Sequence, residues 1–187
     1  MRFDEFMEKH GLAVSPVSRF TGFVVEVGVP SGWEPFDSAL GLWLWACRDD
    51  PCIKQFCANA VLTMHRVEAA LEPAEVFTML SDQQLQSAPA CHEVRREMGL
   101  AGEFAGVQGL LVMRIAHELG TIDSSSQSRI ITAGQETLIA QLTVTARHDS
   151  PVDRAHIWLS VRPGATATSA SAGCRGGAPV VTTRGGH

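Results

Sequence analysis

The sequence predicts an α+β domain built on an antiparallel sheet, and three observations lead there. The 187 residues are 45% hydrophobic and 19% charged, the balance of a chain that buries a core. Apolar residues recur at helical spacing in some segments and at every second position in others. The longest alternating runs fall late in the chain, each with one apolar and one mixed face, the mark of antiparallel strands.

The elements follow in order. Phe3, Phe6 and Met7 sit at i, i+3 and i+4, and Gly11 follows as a cap, so a short helix opens the chain. Phe23, Val25, Val27 and Val29 alternate with Val24, Glu26 and Gly28 until Pro30-Ser31-Gly32 turns the chain, which makes a half-buried strand. Leu42–Cys47 and Ala60–Val67 are apolar or β-prone on both faces and read as inner strands. Pro73 suits a first helical position, and Val76, Phe77 and Leu80 mark the inner face of a helix that stops before Ala88-Pro89. Val107, Gly109, Leu111, Met113, Ile115, His117 and Leu119 share one face of a long strand, and Leu138, Ala140, Leu142, Val144 and Ala146 share a face of another. Ser150-Pro151-Val152-Asp153 has the residues of an N-cap and a first turn, and predicts a helix to about Val161.

Composition changes at Arg162-Pro163. Of the last 25 residues 17 are Gly, Ala, Ser or Thr and none is acidic, too little apolar surface to offset an ordering cost of about 1–2 kcal/mol per residue. Residues 1–162 are therefore expected to form one domain and residues 163–187 a disordered tail. The net charge of −5 speaks against a nucleic-acid partner, and no apolar run approaches the roughly 20 residues of a membrane span. Asp4 and Glu5 stand where a signal peptide carries basic residues, so a cytoplasmic location is expected, with the cell envelope or secretion as the alternative.

Most of the chemistry-bearing residues have a structural reading. Cys47, Cys52, Cys57 and Cys91 include no C-x2-C pair for a metal, and reduced, packed thiols are the expectation, with one disulfide joining Cys57 to Cys47 or Cys52 as the alternative. His148-Asp149-Ser150 has the residue types of a hydrolytic triad, but neighbours in sequence cannot chain nucleophile to base to orienter. His65 and His117 lie in strands and offer the one arrangement, a shared cavity, that an enzyme reading could use. Glu97 and Glu103 bracket a Gly-containing turn and read as solvated hairpin charges. No phosphate-cradling glycine motif, nucleophile elbow or metal-binding helix motif occurs, and no cofactor is called for. The positive signal is aromatic: Trp33, Trp43, Trp45 and Phe56 are the expected ligand-contacting residues. Trp43 and Trp45 face one way about 7 Å apart, enough to line a groove for a lipid-like ligand or to seat a covering helix.

These motifs, taken in order, resemble the LpqN family of actinobacterial proteins. The resemblance is carried by the helix Phe3–His10 with Gly11, by Ser15-Pro16-Val17, by Val29-Pro30-Ser31-Gly32-Trp33-Glu34, by Phe56-Cys57-Ala58-Asn59-Ala60-Val61, by Leu71-Glu72-Pro73 and by Gln83-Gln84-Leu85-Gln86, over roughly residues 3–160. It implies a fold like that of PsbP and the Mog-type Ran-binding proteins, a curved antiparallel sheet with helices packed on it. It also implies a non-catalytic role in which the partner is an amphiphilic lipid or glycolipid of the envelope, of the trehalose type, or another protein. A small enzyme with a histidine-bearing cavity and a purely structural interaction module are the alternatives.

Overall fold

The computed structural model describes residues 1–36, 38–101, 106–164 and 180–184. Among the described residues two helices and eleven strands form three layers. The helices are α1 (Phe3–His10) and α2 (Pro73–Ser87). The strands are β1 (Val14–Pro16), β2 (Phe23–Pro30), β3 (Trp33–Pro35), β4 (Leu42–Cys47), β5 (Asn59–Val67), β6 (Cys91–Leu100), β7 (Gly106–His117), β8 (Gly120–Ala133), β9 (Glu136–Arg147), β10 (Trp158–Pro163) and β11 (Val180–Arg184).

The large sheet runs β3-β4-β5-β9-β8-β7-β6, with β1 pairing the free half of β5, and all of its pairings are antiparallel. The inner positions expected of β4 and β5 follow directly. On one face lie the helices, because Phe3 and Met7 of α1 and Val76, Phe77 and Met79 of α2 cluster with Val67, Val107, Ile130 and Ile139. Gly109 lets α2 approach closely, since a Cβ there would overlap the Phe77 ring. Gly11, in a left-handed conformation (φ 62°), ends α1 as its position predicts.

On the opposite face lies a second, three-stranded sheet, β10-β2-β11, antiparallel on the β10 side and parallel on the β11 side. Val25, Val27 and Val29 of β2, with Ile157 and Leu159, pack on Trp45, Leu62, Met64, Leu142 and Val144 of the large sheet. The alternation predicted for β2 is the alternation observed, and a second sheet does the covering that a helix was expected to do.

The helix expected from Ser150 to Val161 does not form. Ser150 donates to the buried Asp50 carboxylate (2.9 Å), and Asp153 accepts the amides of Ala155 and His156 in a local turn. The chain then enters β10, whose backbone completes the hydrogen bonding of β2. A competent N-cap sequence lost to a strand edge needing a partner. Strands β6 and β8 had no apolar alternation to reveal them. The side chains of β6 are almost all exposed, and the buried face of β8 carries Ser124, Ser126 and Ser128 between Ile122 and Ile130. Two of those serines are hydrogen-bonded, Ser126 to Thr143 and Ser128 to Gln141, which in turn meets Gln84 of α2. Of the segment expected as a tail, Pro163 closes β10, Gly164 donates to the Gly22 carbonyl and residues 180–184 form β11, while residues 165–179 and 185–187 lie outside the described residues. Among the described residues no helix is long and apolar enough to cross a membrane.

Candidate ligand cleft

The small sheet covers only half of the large sheet's face. Pairing registers lay the side chains of that face in rows across β6, β7, β8 and β9: Gly99, Gln108, Arg129, Ala140, then Glu97, Leu110, Gln127, Leu142, then Arg95, Val112, Ser125, Val144. Each row passes from polar or mixed on β6–β8 to buried apolar on β9. The boundary is Gln127. Its amide donates to the Ile157 carbonyl (2.8 Å) and accepts the Leu159 amide (3.0 Å), so it fastens the β10 edge along β8.

Beyond that seam lies an open cleft of about 730 Å³, lined by Glu97, Gly99, Gln108, Leu110, Gln127 and Arg129 among others. That volume is within the roughly 300–1,000 Å³ of small-molecule sites. A smaller cleft of about 240 Å³ shares Gln127 and continues along Val112, Ser125, Arg114 and Asp123. Asp123 there is fully compensated: Arg114 lies at 3.0 Å, His148 at 2.8 Å and Arg154 at 3.4 Å. Burial alone would raise the Asp123 pKa, but the hydrogen bonds from His148 and Arg114 hold it below the ordinary value. Glu97 is likewise paired with Arg95. Arg129 is different. Burial lowers its pKa, and its one hydrogen bond among the described residues goes to the Ser128 carbonyl.

None of the aromatic residues singled out in the sequence lines this cleft. Trp43 and Trp45 share a face, as expected, but Trp45 is 2% exposed, and it lies with Trp33, 4% exposed, in the core under β2. Trp43 is half-buried against the same cluster, and Phe56 is half-buried in the loop before β5. None of the four lines any of the clefts formed by the described residues. The residues that do line the cleft carried only the pattern of a solvated strand face, a signal shared by any surface strand.

The other chemistry-bearing groups disperse. His65 lies level with Ile139 on the helix side, where burial lowers its pKa, whereas His117 is at the far end of β7, roughly 30 Å away at the rise of a strand, accepting the Leu119 amide. Of His148-Asp149-Ser150, the first meets Asp123, the second Arg147 and the third Asp50. Glu97 sits on β6 rather than at a turn, and Glu103 lies outside the described residues. Cys47, Cys52, Cys57 and Cys91 are free thiols; burial raises the pKa of Cys47 and Cys57. Among the described residues no group of three or more His, Cys, Asp or Glu could hold a metal.

Comparison with solved structures gives a TM-score of 0.65 to LpqN of Mycobacterium tuberculosis, described as involved in cell envelope biogenesis, at 14% identity over 80% of this chain and 87% of that one. A Bacteroides thetaiotaomicron protein follows at TM-score 0.40 and 15% identity, over 81% of this chain and 48% of the other. The lipid transfer and protein localization domain of human StarD13 follows at 0.27 and 10%, over 63% and 76%. Neither of the last two supports an argument about this fold. No curated protein matches the chain in sequence. The family model that matches is described as a probable lipoprotein, which points to the cell envelope and overturns the cytoplasmic location expected from the first residues. That model, probable lipoprotein LpqN, covers residues 1–158, and the protein belongs to the LpqN family.

Proposed function

We propose that this chain is a non-catalytic binding domain that holds the polar head of an amphiphile, such as an envelope glycolipid, in the open half of the large sheet's face. The observation that carries the reading is the 730 Å³ cleft, where Gln108 and Arg129 offer hydrogen bonds beside the half-buried Leu110. Support for a non-catalytic role comes from the dispersal of His65, His117, His148 and Ser150 to separate places in the fold. The test is a ¹⁵N NMR titration with dodecyl maltoside below its micelle concentration. Saturable shifts confined to Gln108, Leu110, Gln127 and Arg129 are expected. Shifts confined to the 420 Å³ groove between α1 and α2, lined by Phe6, Ala74 and Met79, or no saturable shift anywhere, would overturn the assignment.

A protein partner is the second reading, favoured by the edge strand β6, where Val94, Met98 and Leu100 are 51%, 50% and 82% exposed. Its test is whether Val94→Lys with Leu100→Lys removes a partner that co-purifies with the wild-type chain.

A further inference from the structure

We infer that Arg129 makes the cleft an anion site, so that the ligand's polar end carries a phosphate or a carboxylate rather than neutral hydroxyls alone. The inference rests on the cleft being the ligand site. Its basis is a contrast in charge pairing. Arg2, Arg48, Arg66, Arg95, Arg96, Arg114, Arg147, Arg154 and Arg162 each have a carboxylate within 4 Å. Arg19 has none among the described residues and is exposed to water. Arg129 is half-buried, lines the largest cleft described, and among the described residues has no carboxylate at ion-pair distance.

In a chain with 20 acidic residues against 15 basic ones, carboxylates are in excess, so a withdrawn arginine left without one is a specific arrangement. Taking a guanidinium partly out of water costs free energy that only a good acceptor returns. A planar fork of donors fits phosphate and carboxylate oxygens two at a time. The neighbours agree with that reading. Gln108 sits directly across from Arg129 in register, and among the described residues its amide makes no hydrogen bond, leaving donors for a third oxygen. Gly99, next in the row, has no side chain to shut the approach, and the Gln108 side chain packs over it. The acid in that lining, Glu97, is held by Arg95 at 2.6 Å.

Isothermal titration of the full chain at low salt separates the sources of the anion, using dodecyl phosphate, dodecyl maltoside and inorganic phosphate, with the detergents below their micelle concentrations. Dodecyl phosphate should bind at least tenfold tighter than dodecyl maltoside. Arg129→Gln should erase the difference, and Arg129→Lys should restore only part of it. Gln108→Glu supplies a carboxylate in register with Arg129 and should abolish anion binding while leaving Arg129 in place. Because these positions lie outside the core, the thermal midpoint of each variant should match or exceed that of the wild type, which keeps loss of binding distinct from loss of folding. If inorganic phosphate alone binds and Arg129→Gln abolishes it, the anion site stands and the amphiphile reading falls. Equal affinity for the two detergents, unchanged in Arg129→Gln, would overturn the anion site and leave the amphiphile reading intact. No binding of any probe would overturn both.

Discussion

The large sheet presents one face with two unlike halves. Over β3, β4, β5 and β9 it carries Trp33, Trp45, Leu62, Met64, Leu142 and Val144 and is sealed by β2 and β10. Over β6, β7 and β8 it carries Arg95, Glu97, Gln108, Arg114 and Arg129 and stands open. Backbone pairing is continuous across the two, so the difference comes from side chains alone. Apolar rows recruit a second layer because burying them is worth roughly 25 cal/mol per Å². Mixed rows leave a cleft, since covering charges without partners costs more than it returns.

The sharpest way to break this contrast is at the centre of the sealed half. Trp45→Ala should cost about 3–5 kcal/mol in urea unfolding. A loss below about 1 kcal/mol would mean that β2 does not seal the face. The next largest effect is expected at the seam. Gln127→Ala leaves the Ile157 carbonyl and the Leu159 amide without their partner and should cost about 2 kcal/mol, with faster amide exchange along β10 than along β9. Uniform loosening of both strands would place the seam elsewhere.

Acid probes the open half through Asp123. Its folded pKa is lowered, so its ion pairs contribute fully above the ordinary value of 3.8 and the contribution is lost as pH falls through the folded value. Asp123→Asn should therefore cost about 1 kcal/mol at pH 7, a cost that shrinks as pH falls below 3.8. His65, beneath the helices, adds an earlier loss. Its lowered pKa means that the unfolded chain binds the proton more readily, so stability declines as pH falls below 6.5, and His65→Gln should flatten that limb of the profile. The smallest effect belongs to the cleft itself: Gln108→Ala should leave stability within about 0.5 kcal/mol, and a larger drop would show that the open half is held by something more than its backbone ladder.

Legibility in the sequence followed burial chemistry. Strands β2, β4, β5, β7 and β9 and both helices bury aliphatic or aromatic side chains, so apolar runs or apolar spacing revealed them. Strand β8 has the same alternation written in serine, and β6 buries almost nothing. Neither leaves a hydrophobic trace. The aromatic cluster was legible as a shared face, yet the same pattern serves a core and a groove equally well, and here Trp33 and Trp45 are core. The cleft was not legible, because polar rows on a strand look alike whether or not they enclose a space.

What the sequence determined by itself was the class of the domain, the periodic elements and which face of each turns inward, since a residue's preference for water is a local property. Tertiary structure decided what covers each face. It made residues 158–163 a strand because β2 lacked an edge partner, placed a sheet rather than a helix over the tryptophans, and stopped that sheet at Gln127. Among the described residues it also gave every half-buried arginine but Arg129 a carboxylate, some of them distant in sequence, as Asp123 is from Arg154. Ion pairing and enclosure depend on residues far apart in the chain, and no spacing of neighbours encodes them.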